Sequence, residues 1–239
     1  MTESSATTPI RVLLADDEET VRAGVRLILR HAEGIEVVAE ASNGAEAVEL
    51  AARTPVDVAL VDIRMPVLDG LAAIEQLLRL DPHPAVVMLT TFGDETNVTR
   101  ALQAGAGGFL LKDDGPQELI SAVRAAAEGD AVLSPGVTGM VVRRMLEGNG
   151  RDAGAGTGAG AEAGTSADPS PEQRVAALSD QERRALSMLG QGMPNLELSL
   201  RLGLGPDAVK TLVSEVLAKT GTESRVQAAL LAARVGLAD

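Results

Sequence analysis

Cysteine, tryptophan and tyrosine are absent from all 239 residues, and phenylalanine occurs only twice. Without thiols there is no disulfide framework and no thiolate chemistry, which fits a reducing compartment. Without aromatic platforms the chain cannot hold nucleic acid by stacking bases, and its cores must be aliphatic. No apolar run reaches the roughly 18 residues that a membrane-spanning helix needs. The opening MTESSATTP lacks the charged-then-apolar pattern of an export signal. The expectation is a cytoplasmic protein with no membrane contact. The two histidines, His31 and His83, have no metal-ligand neighbour at useful spacing.

Basic charge is also short: 21 Lys and Arg stand against 34 Asp and Glu, a net charge of −13. The imbalance is uneven. Residues 174–239 carry a net +1, and the remainder carries −14. Any nucleic-acid contact therefore belongs to the C-terminal part, and the rest of the chain repels a polyanion held close to it.

Four short apolar runs each end on a charged or hydroxyl residue. Ile10–Ala15 precedes Asp16 and Asp17, residues 56–61 precede Asp62, 85–89 precede Thr90, and 109–111 precede Lys112. With a further run at Ile35–Ala41 and helical periodicity between the runs, they predict buried parallel strands. The intervening helices are marked by Val21, Val25, Ile28 and Leu29, by Asn43-Gly44, by Asp69-Gly70, by residues 94–104, and by Pro116 in a first turn. Five alternating units predict an α/β, flavodoxin-like, doubly wound sheet of five parallel strands over residues 8–130. Ligands in such sheets bind outside the carboxyl ends of the strands. Three acids, a hydroxyl and a lysine therefore meet at one edge.

Carboxylates about 4 Å apart repel by roughly 4 kcal/mol per pair at an effective dielectric near 20. Three of them stay ionised together only with a cation between them, and hard oxygen donors favour Mg2+. Asp62, alone at the end of its strand, is the best-placed nucleophile for a phosphoryl group. Asp16 and Asp17 are placed to hold the metal, with Asp62 supplying a further oxygen. Lys112 can pair with phosphoryl oxygens as a point charge, and Thr90 can donate a hydrogen bond to them.

At these residues the chain resembles the receiver domain of bacterial two-component response regulators, through LLADDEETVRAGVRLIL, DVALVDIRMPVLDGLAAI, VVMLTTF and GAGGFLLKDD. The resemblance implies Asp62 as the phosphoacceptor for a sensor histidine kinase and Asp16 and Asp17 as the acid pocket. It also implies the Arg64 carbonyl as a further metal ligand, Lys112 as the receiver lysine, and Thr90 with Phe109 as a switch pair. In the expected switch, Thr90 turns to the phosphoryl group and Phe109 swings inward to fill the space left behind. The protein is expected to accept and shed a phosphoryl group, not to act as an enzyme. An aspartate-based phosphohydrolase would want Asp-x-Asp-x-Thr after its first strand, and Asp16-Asp17-Glu18-Glu19-Thr20 does not supply it.

Beyond the receiver, residues 131–147 read as a connecting segment with a short helix over 137–146. Residues 148–173 hold almost nothing apolar larger than alanine and read as a flexible Gly/Ala linker. From 174 to 239 the pattern is helical only. Ser179 with Glu182 is a capping-box signature, and an all-α four-helix unit follows. Two short helices joined by Gly203-Leu204-Gly205 form a helix-turn-helix candidate.

This unit resembles the LuxR-like DNA-binding domain of NarL/FixJ response regulators, through LSDQERRAL, NLELSLRLGL, AVKTLVSEVLAKTG and ESRVQAALLA. The resemblance places Lys210, Thr211 and Ser214 on the recognition helix facing double-stranded promoter DNA. It also implies a homodimer on activation. Several residues depart from the usual pattern. Gly205 and Pro194 stand where hydroxyl residues are usual, Ala208 where Thr is common, Leu212 where His is common, and Glu215 where a cation or amide is common. The recognition helix has no net charge, so weak monomeric binding is expected. Two readings stand: a phosphorylation-controlled DNA-binding transcription regulator, or a regulator whose altered helix-turn-helix grips a protein partner.

Overall fold

The computed structural model describes residues 8–90, 95–133 and 170–238. Strands β1 (Ile10–Ala15), β2 (Ile35–Ala41), β3 (Val58–Asp62), β4 (Ala85–Thr90), β5 (Gly108–Leu111) and β6 (Val132–Leu133) form one parallel sheet in the order β2-β1-β3-β4-β5-β6. Helices α1 (Glu19–Arg30), α2 (Gly44–Arg53), α3 (Gly70–Leu77), α4 (Glu95–Gln103) and α5 (Pro116–Ala127) connect them. The doubly wound, flavodoxin-like sheet read from the sequence is the one found. The two-residue β6 extends it beyond the five expected strands, pairing Val132 with Gly108 and Leu133 with Phe109.

Both faces of the sheet are covered, which is why the inner strands β3 and β4 read as nearly unbroken apolar runs. Side chains alternate along each strand. Leu13, Ala59, Val61, Val86, Met88 and Phe109 pack with Ile74 and Leu77 of α3 and Val98 and Ala101 of α4. Val12, Leu14, Val58, Leu60, Val87 and Leu110 pack on the other face with Leu29 of α1 and Leu119 and Val123 of α5. Sequence-readable caps start several helices: Asn43 accepts from Glu46 N, Asp69 accepts from Ala72 N, and Pro116 sits in the first turn of α5.

The C-terminal unit comprises α6 (Pro171–Ala176), α7 (Asp180–Gly190), α8 (Asn195–Leu202), α9 (Pro206–Thr220) and α10 (Arg225–Arg234) around Leu186, Leu189, Leu198, Val209, Val213 and Val216. The expected capping box of Ser179 and Glu182 opens α7. One boundary moves. Residues 170–173, assigned to the linker, instead begin α6, where Ser170 and Gln173 form a second capping box. Val175 and Leu178 then enter the helical core. The expected helix at 137–146 and the Gly/Ala segment up to residue 169 lie outside the described residues.

Candidate functional site

The acid edge is built by chain geometry at four strand ends. Asp16 follows β1, its backbone N–H donating to the Ala41 carbonyl at 3.1 Å, and its Oδ1 accepts from Glu18 N at 2.9 Å. Asp62 closes β3. The loop after it is drawn tight by Gly70, whose N–H reaches the Ile63 carbonyl at 2.9 Å. A Cβ at Gly70 would drive into the Asp62 carbonyl, so only glycine lets α3 start this close. Thr90 ends β4, and its carbonyl accepts from Lys112 N at 2.8 Å. That bond sets Lys112 one strand over, facing the acids.

Lys112 Nζ lies 2.8 Å from Asp16 Oδ2, 3.1 Å from Asp62 Oδ2 and 3.8 Å from Glu18 Oε1. Asp16, Asp62 and Thr90 are buried, and Asp17 is exposed. A cavity of about 260 Å³ is lined by Asp17, Glu18, Asp62, Arg64, Thr90 and Lys112, among others. Asp16, Asp17 and Asp62 can each offer an oxygen, all within 4.8 Å of one another. Burial pushes the Asp62 carboxyl up from its ordinary value, against the opposing pull of Lys112. Burial would pull Lys112 down, but its contacts to Asp16 and Asp62 carry it above 10.5. The two directions agree physically: one ammonium gains from two carboxylates, while each carboxylate has only a share of one counterion.

These residues fit a divalent cation. Asp16 Oδ2 is buried without a hydrogen bond among the described residues. Lys112 Nζ lies 2.8 Å from it and is shared with Asp62. Three oxygen donors against one ammonium leave net negative charge in a partly dry pocket, the donor set of Mg2+ chemistry.

The second region is α8 and α9. Val209, Leu212, Val213 and Val216 face the core of the helical unit, while Lys210, Thr211, Ser214 and Glu215 face outward. The hydroxyls of Thr211 and Ser214 donate to the carbonyls of Asp207 and Lys210 at 3.0 Å each. Their lone pairs remain as acceptors. Gly205 precedes α9 and Pro194 precedes α8, and neither supplies a side-chain cap.

Comparison with known proteins agrees with both regions. Residues 12–124 match the family described as response regulator receiver domain, and residues 176–232 match that described as bacterial regulatory proteins, luxR family. The nitrate/nitrite response regulator NarL of Escherichia coli K12 is 34% identical over 222 residues, 93% of this chain and 94% of that protein. The transcriptional regulatory protein LiaR of Bacillus subtilis 168 is 35% identical over 225 residues, 94% of this chain and 97% of that one. The chain is a LuxR-family response regulator. Among solved structures, the response regulator ChrA of a heme-sensing two-component system aligns with a TM-score of 0.51 at 32% identity, covering 97% of this chain and 100% of that one. The response regulator described here is thus a phosphorylation-controlled, DNA-binding transcription regulator of a two-component system.

Within this regulator the structure brings Asp16, Asp17, Asp62, Thr90 and Lys112 to one edge, with Arg64 on the wall of the same cavity. Phe109 is wholly buried among Met88, Val98 and Ala101, the inward end of the swing expected of it. Leu212 is 7% exposed and belongs to the helical core, the inward position that its phase with Val209, Val213 and Val216 predicts. Glu18 joins the lysine cluster although sequence reasoning passed over it; its place two residues after a strand-ending acid was the available signal.

Sequence reasoning also missed a set of contacts between the two halves of the regulator. Lys210 Nζ lies 3.2 Å from Glu128 Oε2, and Arg225 Nη1 lies 3.0 Å from Asp130 Oδ1. Arg225 also binds Asn195 Oδ1 at 2.6 Å and the Met193 carbonyl. Burial pulls its guanidinium down, and the Asp130 carboxylate opposes that. Gln227 donates to the carbonyls of Leu102 and Gln103 at the end of α4, and Val226 is buried in the receiver core cluster. The pairs that join the two halves are 82 to 125 residues apart in sequence. No local pattern announces them.

Proposed function

We propose that Asp62 accepts the phosphoryl group from a phosphohistidine of a sensor histidine kinase. A carboxylate oxygen attacks phosphorus, a P–O bond forms, the P–N bond breaks, and the imidazole nitrogen keeps the electron pair and takes up a proton. Lys112 holds the incoming oxygens as a fixed cation, and Thr90 donates to them. Asp16, Asp17 and Asp62, with the Arg64 carbonyl, would hold Mg2+. When bound, that ion neutralises charge developing on the transferring group. The observation that carries this reading is the convergence of Asp16, Asp62 and Lys112 within 3.1 Å contacts at the carboxyl ends of β1, β3 and β5. Hydrolysis of the acyl phosphate resets the site.

The output follows the same logic. Lys210, Thr211 and Ser214 are the exposed residues of α9 that meet promoter DNA, and a near-neutral surface makes pairing of two copies on DNA the route to useful affinity. Such a regulator works in the cytoplasm, where kinase and chromosome are both reached. Among the described residues, no helix is long and apolar enough to cross a membrane.

The test is phosphorylation of the full chain by a small-molecule phosphodonor with Mg2+, read by intact mass. Wild type gains one phosphoryl group and Asp62→Ala gains none. Uptake by Asp62→Ala equal to that of wild type would move the acceptor elsewhere.

A further inference from the structure

Helix α8 carries leucine at every second position, a spacing that a helix cannot turn to one side. Leu198 is wholly buried and Leu202 packs against the helical core, whereas Leu196 and Leu200 are 73% and 77% exposed. One exposed leucine needs no explanation. Two of them one turn apart make a continuous apolar stripe on one face. Glu197 and Arg201 border the stripe on one side and pair with each other along the helix at 2.8 Å. Ser199 borders it on the other, and at its end lies Gly203, where a Cβ would meet nothing within 4 Å. The receiver leaves this face open. It meets α8 at the Asn195 amide and α10 at Val226 and Gln227.

We propose that this face is where two copies of the chain meet, α8 lying antiparallel on α8 of the second copy. The argument is self-complementarity. A two-fold axis sets the same patch on both sides of an interface, so residue i meets j and j meets i. With α8 antiparallel to itself, Leu196 packs on Leu200 of the second copy and Leu200 on its Leu196. The charged border of each helix then falls beside the charged border of the other. Glu197 faces Arg201 of the second copy, and Arg201 faces its Glu197. A border of one sign would ask for a partner of different sequence, while a pair of opposite charges one turn apart is complementary to its own copy. The patch is small. Two leucines a side fall far below the roughly 800 Å² per partner of a standard interface, so pairing is weak in free solution and takes effect where two copies are already held close. It gives a surface to the pairing on DNA proposed above and stands apart from the reading of Asp62.

The test is sedimentation equilibrium of the full chain from about 10 μM to 1 mM, a range that covers weak self-association. Chelator is present, so that Asp62 stays unphosphorylated. Wild type is compared with L200Q, E197R, R201E, the double swap E197R/R201E, and an equimolar mixture of E197R with R201E. Wild type should associate weakly, and L200Q should not. Each single reversal sets like charges opposite each other twice and should weaken association about tenfold. The double swap and the mixture restore opposite charges at both contacts and should recover wild-type association. A wild type that stays monomeric throughout overturns the proposal. So does association that neither reversal nor L200Q changes, which would move the contact to another surface. Loss in both single reversals without recovery in the mixture overturns the two-fold pairing and leaves the face to a different protein. All the substituted side chains border solvent, and helix signal checks that each variant is folded. Phosphoryl uptake read by intact mass should be the same in every variant, so failure of the pairing leaves the reading of Asp62 standing.

Discussion

Lys112 is shared between two buried carboxylates, and neither has a counterion to itself. Removing it leaves buried negative charge uncompensated, a loss that typically costs about 3–5 kcal/mol. Lys112→Ala is expected to fall in that range in chemical denaturation with chelator present, and to recover part of the loss when Mg2+ is added. Unchanged stability, or no response to Mg2+, would mean that the three acids are not held as an anionic cluster. Gly70 is the second residue on which the site depends, because a side chain there collides with the Asp62 backbone. Gly70→Ala should destabilise by about 1–3 kcal/mol, as overpacking does, and should slow phosphoryl uptake at Asp62. Loss of stability with unchanged uptake would separate the fold from the site. The acids, Thr90 and Lys112 were legible because each ends an apolar run, and parallel strands bring such ends together. Gly70 was legible only as a helix start, since what it avoids is a backbone atom eight residues away. Leu212 was legible too: its phase with Val209, Val213 and Val216 puts it inside the helical unit, where it is found.

At the scale of elements, Glu182 ties two helices together. It closes the capping box of α7, accepting from Ser179 N at 2.8 Å, and it receives Lys219 Nζ from the last turn of α9 at 2.6 Å. The Lys219 hydrogen bond, followed by that of Ser179, lowers its carboxyl from 4.5 to about 2. A depressed carboxyl contributes stability that is present above its unfolded value and lost as pH falls towards its folded one. The helical unit should therefore lose stability between about pH 4.5 and 2, followed by helix signal on acid titration. Glu182→Gln should flatten that part of the curve and lower stability at neutral pH. An acid limb identical in both proteins would assign the loss to other carboxylates. The capping box was legible from Ser179 and Glu182, three residues apart. Lys219 was not, lying 37 residues further on. β6 was missed for a related reason: two residues show no period. Its place depends on Gly108, where a Cβ would strike Val132.

At the scale of the whole molecule the charge asymmetry acquires a direction. The helical part carries +1 and the rest −14, so a closed arrangement sets an acidic body beside the DNA-facing helix. The Glu128–Asp130 turn concentrates that repulsion at Lys210 and Asn195. If phosphorylation at Asp62 favours the arrangement in which this turn is released, thermodynamic linkage makes the effect reciprocal: a phosphoryl analogue tightens DNA binding by some factor, and DNA tightens binding of the analogue by the same factor. Couplings of this kind typically amount to about 5- to 150-fold, or 1–3 kcal/mol. The measurement is a pair of titrations of the full chain at one protein concentration. One follows DNA affinity with and without beryllofluoride and Mg2+, and the other follows beryllofluoride affinity with and without DNA. Matching factors in that range are expected. Factors of one in the wild type would mean that the acid edge and the DNA face share a chain without sharing an equilibrium.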